Sequence, residues 1–371
     1  MHLRMVLMLV IIKITYFLLN FCVPSKLTRM VWDGQFIAYF LQIFSNHDSG
    51  WYERIAGTGY PFPIVDGSLD NACYAFFPAF PFLGKLLIFL LNCSPRAALF
   101  ILSTLISFAL IPALFSLGKQ LKLEPEANNW FVFLFLFFPH HFYFSMIYTE
   151  GLFALMGILS FLFLLKRQLF WFGLCSSILV LTKIQGAVWL FSLLVFHAGF
   201  LGRERFKISH WLQFIPSIFT ICLFLGFFWV QTGNPLFFKS ASEQYWQGKP
   251  SNPFYALLKS ITHPKEGEPF LRYTGIYALL FLIASFILLK IKDVGFSFFL
   301  LCFISILLPL SEGTAVSQPR FISVLFPFFL LLGMHVSKLQ STILKWIIAC
   351  FVLLFHLATF VLWNTSHPIS F

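Results

Sequence analysis

Acidic side chains are scarce in this chain. It has 14 Asp and Glu among 371 residues, and all charged residues together make up 11%. Soluble domains carry roughly a quarter charged residues, so a shortage of this size excludes an ordinary water-soluble protein. Paired cysteines are missing as well. The 7 cysteines are scattered singly, mostly inside apolar runs, with no CxxC pair, which argues against a structural zinc site and a disulfide framework. No HExxH, GxSG or GxGD motif is present, which argues against metalloprotease and intramembrane protease chemistry. The chain shows no internal repeat, low-complexity stretch or soluble domain, and it carries no cofactor motif, although a divalent metal stays open.

What is abundant is apolar. Hydrophobic residues make up 59% and aromatics 20%, and the mean hydropathy is +0.85. A helix needs about 20 apolar residues to cross a bilayer, and the runs leave room for about ten to twelve crossings. The runs are continuous and lack the alternation of barrel strands, so the spans are helical. The chain therefore reads as an all-α polytopic membrane protein, one domain over residues 1–371. Met5 to Val23 reads as an uncleaved first helix, because it is long for a signal core and Cys22-Val23-Pro24 offers no small-residue cleavage pattern. The formal charge of +11 would suggest nucleic acid in a soluble protein. Here it fits positive cytoplasmic loops and lipid phosphates, so membrane lipids, and no nucleic acid, are the expected partners.

Running the first span from cytoplasm outward makes residues 24–95 the first external loop. Within it Asp33 to Phe44 is too short to cross, and Phe76 to Leu91 is broken by Pro78 and Pro81 and carries Lys85. Both read as interfacial helices. Further spans are expected at Ala97 to Leu117, Trp130 to Tyr143, Leu152 to Leu165, Trp171 to Thr182, Gly186 to Phe200 and Trp211 to Gln231. After a long external loop, Thr232 to Tyr273, they continue at Gly275 to Leu289, Phe296 to Leu310, Phe321 to Val336 and Ile347 to Trp363. This gives about 11 transmembrane helices. It places Lys166-Arg167, Arg203, Arg205, Lys207, Lys290, Lys292, Lys338 and Lys345 on one side, as the positive-inside rule asks.

The opposite side collects Asp48, Glu53, Arg54, Asp66, Asp70, Glu150, Lys183, Glu312 and Arg320. Asp48 is the leading candidate for chemistry. A lone loop acid is normally just solvated, but this one is followed by Trp51 and Tyr52, rings able to stack on sugar faces, and by Arg54, able to hold an anion. Glu150, in Tyr148-Thr149-Glu150, either sits at a helix N-terminus favoured by the dipole or acts as a second acid beside Asp48. Lys183, at the outer tip of a short hairpin and followed by Gln185-Gly186, is expected to snorkel to the interface. Arg320 is expected at a helix start, where the dipole opposes a cation, which makes it a candidate for holding phosphate in fork geometry. His140-His141 are adjacent and point about 100° apart on a helix, so no metal site is assigned to them.

These segments together resemble a known family. Asp48-Ser49-Gly50-Trp51-Tyr52 with Ile55-Ala56 and Gly59-Tyr60, then Ala75-Phe76-Phe77-Pro78 with Pro81, look like the first external loop of the PIG-V type of GPI mannosyltransferase and its bacterial relatives. Further matches are Phe138-Pro139 with Tyr148-Thr149-Glu150, Leu181-Thr182-Lys183 with Gln185-Gly186, Gly233-Asn234-Pro235-Leu236 with Trp246, and Pro319-Arg320-Phe321 with Phe326-Pro327. The resemblance runs over residues 45–330 in order. It implies a GT-C glycosyltransferase fold and transfer of a sugar, mannose in the eukaryotic members, from a polyprenyl-phosphate donor to a glycan or lipid acceptor on the non-cytoplasmic face. In that reading Asp48 is the general base and Glu150 its helper, while Trp51, Tyr52, Tyr148 and Gln185 contact substrate. Arg320 and Lys183, with Arg54 a further candidate, hold phosphate. The chain departs from the family in having His47 for tryptophan, Lys183 for arginine and Asn234 for aspartate. Short loops and modest length lean toward a bacterial plasma membrane, with the endoplasmic reticulum as the eukaryotic alternative. The competing class is a transporter or flippase of a lipid-linked sugar, whose acids should lie at mid-membrane in broken helices.

Overall fold

A computed structural model describes residues 1–24, 36–62, 68–201, 211–246, 248–264, 268 and 270–367. Within them the chain is built of helices and short 3-10 turns, with no strand. In chain order the first elements are α1 (His2–Cys22), α2 (Phe36–Gln42), α3 (Ser49–Thr58), a 3-10 helix (Leu69–Ala75), α4 (Ala79–Leu91) and α5 (Pro95–Gln120). Next come α6 (Pro125–Phe137), a 3-10 turn (His141–Ser145), α7 (Glu150–Leu165), α8 (Leu169–Val180), α9 (Gln185–Leu201) and α10 (Ile215–Thr232). The chain ends with α11 (Phe237–Trp246), α12 (Pro253–Thr262), α13 (Phe270–Leu288), α14 (Gly295–Leu310), α15 (Gln318–Ser323), α16 (Phe326–Ser337) and α17 (Thr342–Asn364). The expected Asp66, Arg203, Arg205 and Lys207, and the start of the interfacial helix at Asp33, lie outside the described residues.

Five segments are long and apolar enough to cross a membrane: α1, α5, Leu212–Thr232, α13 and α17. Their outward faces confirm the solvent they are built for. In α1 the exposed stripe Leu3, Leu7, Ile11, Ile14, Leu18 and Phe21 is apolar, whereas the buried stripe includes Tyr16 and Asn20. A water-soluble helix shows the reverse. The helices α7, α8, α9, α14 and α16 are apolar but fall in the 10–17 residue range, short for an upright crossing.

Contacts fix the directions of the long helices. Tyr16 stacks on Phe360, and Asn364 donates to Asn20 2.8 Å away, so α1 and α17 run parallel. Lys13 reaches Thr104 at 3.4 Å and His2 stacks on Phe115, so α5 runs antiparallel to α1. The end of α1 and the start of α5 therefore lie at the same end of the molecule, which leaves no single crossing between them. α4 fits this arrangement: it meets the preceding 3-10 helix at a bend of 104° and packs back along α5, with Gly84 against Leu99.

Prolines account for two departures from the expected spans. Helix α6 stops at Phe137 instead of Tyr143, because Phe138 precedes Pro139 and takes an extended conformation (φ −63°, ψ 153°). The span expected over Phe321 to Val336 is divided into α15 and α16. Pro327 sits in the first turn of α16, where its missing N–H costs nothing, and it could not have continued a helix from α15. The expected loop Thr232 to Tyr273 holds α11 and α12. Gly233 closes α10 in a left-handed turn (φ 70°), and the Asn234 carboxamide caps the Leu236 N–H at 2.9 Å. Further along, the N–H groups of Lys249 and Ser251 donate to the carbonyls of Glu312 and Ser311 at 3.0 and 2.9 Å, which fastens this outer segment to the loop before α15.

Candidate functional site

Four charged side chains from four distant parts of the chain meet at the α1-exit end of the molecule. Asp48 immediately precedes α3, Glu150 opens α7, Lys183 lies in the turn between α8 and α9, and Arg320 lies in α15. The Arg320 Nη1 donates to Asp48 Oδ2 at 2.7 Å, and its Nε lies 2.7 Å from Glu150 Oε1. Lys183 donates to the same Glu150 oxygen. Side-chain exposure is 24% at Asp48, 12% at Arg320, 11% at Lys183 and zero at Glu150. Asp48 is thus the member a substrate can reach, and Glu150 the one water cannot.

The local sequence explains how each is presented. Lys183 depends on a tight turn, and Gly186 permits it: a Cβ there would come within 2.6 Å of the Leu179 carbonyl oxygen. Asp48 follows His47, and Arg320 lies three residues past Ser317. Both neighbours, like His140, are non-glycine residues in the left-handed region (φ 54°, 63° and 69°). Asn92, Lys122, Arg167 and Ser366, also left-handed, close helices, where that conformation is ordinary. His47 adjoins Asp48 and Ser317 precedes the short helix of Arg320, and each costs about 1–2 kcal/mol.

Aromatic rings wall the cluster. The Arg320 guanidinium lies 5.1 Å from the Tyr148 ring centre, 5.4 Å from Phe321 and 5.8 Å from Tyr143, and Lys183 Nζ lies 5.0 Å from Phe321. The Tyr148 hydroxyl accepts from the Asp48 backbone N–H at 3.3 Å and donates to the Asn46 carbonyl at 3.1 Å. It therefore holds both the loop that carries Asp48 and the floor under Arg320. Burial pulls the Lys183 ammonium from 10.5 down to about 8, with Glu150 resisting the fall. Burial works against the Arg320 charge too, but the Glu150 and Asp48 carboxylates outweigh it and raise its pKa above the ordinary arginine value.

The remaining expected residues separate into distinct places. Tyr52 turns inward, bonded to the Thr149 hydroxyl at 3.3 Å and packed edge-on against Phe76 and Phe80, so it belongs to the supporting core and not to an open sugar-stacking face. Trp51 stays half-buried over Phe76, beside the exposed Trp246. Gln185 is buried at the first residue of α9. Arg54 points away and pairs with Asp70 at 2.6 Å, the two side chains 39% and 47% exposed. One expectation is corrected: Lys183 does not snorkel, because a buried carboxylate is within reach. Arg320 is the third residue of the six-residue α15, at a helix start as expected and within its last turn as well.

Sequence reasoning missed Arg96. Its Nε donates to both Glu53 oxygens at 3.0 and 3.1 Å and its Nη1 to Gln42 at 2.6 Å, while Ser45 also donates to Glu53. The available signal was an arginine at the head of a membrane-length helix facing a loop with a spare acid. The histidines are packing groups: His140 meets the Tyr273 hydroxyl at 2.9 Å, His141 the Phe135 carbonyl, and His356 both Tyr16 and the Phe138 carbonyl. Among the described residues no group of three or more His, Cys, Asp and Glu gathers as metal ligands.

No family model matches the chain, and no curated protein matches it. The site's geometry therefore carries the functional reading.

Proposed function

We propose that the chain is a membrane glycosyltransferase of GT-C type that moves a hexose, mannose in the first instance, from a polyprenyl-phosphate donor to the hydroxyl of a glycan or lipid acceptor. The observation that carries this reading is the convergence of Asp48, Glu150, Lys183 and Arg320, with the carboxylate at the open edge and the cations behind it. A sugar phosphodiester already has a good leaving group, so an enzyme must align the acceptor, take its proton and steady the departing phosphate. Asp48 suits the base by its exposure and by the Tyr148 bond that fixes its backbone. Arg320 and Lys183 suit the phosphate by charge and burial.

The acceptor oxygen forms a bond to the anomeric carbon as the bond from that carbon to the phosphate oxygen breaks. The acceptor proton passes to Asp48, and the electron pair leaves with polyprenyl phosphate. A single displacement of this kind inverts the anomeric centre. In this reading the cluster faces the non-cytoplasmic side of a bacterial plasma membrane, and the short apolar helices bring the crossings to about 11.

The test is to incubate the purified protein with radiolabelled polyprenyl-phosphate mannose or glucose and a crude lipid extract. Label moving to a new lipid or glycan with inverted anomeric configuration is expected. Labelled donor that only changes leaflet in vesicles, with no new product, would replace the enzyme by a flippase.

A further inference from the structure

Placing a phosphate at this site raises a question of charge. Asp48 and Glu150 supply two negative charges and Lys183 and Arg320 two positive ones, so the cluster is balanced before any ligand arrives. The other titratable groups that face it are neutral near pH 7. Burial raises the phenols of Tyr52 on α3, of Tyr143 in the 3-10 turn and of Tyr148 before α7, and burial lowers His47. The wall shared with α5 is apolar, with Gly151 against Ile106. A phosphodiester brings one more negative charge into this enclosure, and net charge is strongly disfavoured where water cannot solvate it.

One group is poised to absorb the difference. Glu150 is fully buried, its Oε1 takes both cations, and its Oε2 has no hydrogen-bond partner. As a phosphate draws Arg320 and Lys183 toward itself, this carboxylate loses the contacts that keep it charged, whereas Asp48 keeps its exposure to water. A buried carboxyl without a cation takes a proton, and the protonated Oε2 can then donate to a phosphate oxygen.

We propose that Glu150 is the charge-balancing group of this site, so that binding of a phosphodiester at the Lys183–Arg320 pair is coupled to uptake of one solvent proton by the Glu150 carboxylate. The proposal rests on the phosphate-binding part of the reading above and is independent of sugar transfer. Its consequence is ordered: once Arg320 turns to the phosphate, Asp48 is released from its 2.7 Å ion pair and becomes free to accept the acceptor's proton.

The test uses methyl farnesyl phosphate, a diester with one fixed charge, titrated calorimetrically into the full-length protein in nanodiscs. Two buffers of different ionisation enthalpy are used at the same pH. Uptake of about one proton per ligand is expected, with affinity falling about tenfold per pH unit between about pH 6 and 8. Infrared difference spectra should show a protonated carboxyl band on binding. The carboxyl band should vanish in Glu150→Gln, and the pH slope left in that variant should be the Lys183 limb alone, moved to lower pH because Glu150 no longer supports that charge. Should that variant not fold, carbon-13 labelling of glutamate in the wild type, against labelling of aspartate, still assigns the band. No binding, buffer-independent heats, a band that moves with aspartate labelling, or binding that needs a divalent cation without proton uptake would each overturn the proposal. Proton uptake without sugar transfer would leave it standing and remove the glycosyltransferase; transfer without uptake would do the opposite.

Discussion

Two arginine–glutamate contacts lie at the same end of this molecule and teach opposite lessons. At Glu53 both oxygens are taken by the Arg96 Nε, Ser45 adds a second donor, and Gln42 fastens the guanidinium from the other side. Both oxygens have a partner. At Glu150 one oxygen carries both cations and the other carries nothing, while Arg320 is shared with a second carboxylate. Networks whose members are all satisfied rigidify a fold, whereas a buried polar atom left unpaired is a standing cost that a ligand can relieve. The Arg96 contact pins α3 to the head of α5. The Arg320 contact is where chemistry is expected.

The largest expected break in this contrast comes from Arg320→Ala. Removing a preorganised cation of this kind costs about 3 kcal/mol of transition-state stabilisation, so the second-order rate constant for the donor should drop about a hundredfold per folded molecule, beyond any loss of stability. An unchanged rate with a lowered unfolding temperature would make Arg320 a second Arg96. Arg96→Ala should do the converse. Loss of its charge-assisted bonds should cost about 1.5–3 kcal/mol of stability, read as a fall in unfolding temperature, while correctly folded protein keeps its turnover.

A smaller effect sharpens the role of Lys183. Burial holds its pKa at about 8, so the side chain is charged below that pH and neutral above it. Affinity for a phosphodiester should therefore weaken further as pH rises past about 8, and Lys183→Arg should move that limb to higher pH because arginine stays protonated. Identical pH profiles in the two proteins would remove Lys183 from phosphate binding. The smallest effect is expected at Arg54→Ala. Its pair with Asp70 is exposed, such pairs are worth under about 1 kcal/mol, and both turnover and stability should stay near wild type.

Much of this was legible in the sequence because apolar length and basic loops report on the membrane directly. The helices expected at Leu152 to Leu165, Gly186 to Phe200 and Phe296 to Leu310 lie within two residues of α7, α9 and α14. The proline breaks at Phe138-Pro139 and Phe326-Pro327 stand out in the sequence, but not that they end or divide a span. Pro139 cuts α6 short and frees Tyr143 and Tyr148 to wall the site, and Pro327 divides one expected span and leaves Arg320 on its own short helix. Partner choice escaped as well. Nothing near Glu53 in the sequence names Arg96, and nothing near Lys183 names its carboxylate, which lies 33 positions away. Asn364, which opens a sequence match to a glycosylation acceptor, is 1% exposed and bonded to Asn20 and the Val23 carbonyl, so in the fold it is a packing residue.

The most direct test of the account measures label transfer from polyprenyl-phosphate mannose by Asp48→Asn beside Glu53→Gln, each purified and matched for folded protein. The account predicts that Asp48→Asn loses about two to four orders of magnitude in turnover, as expected for a removed general base, while Glu53→Gln transfers sugar normally per folded molecule. Normal turnover by Asp48→Asn would contradict it.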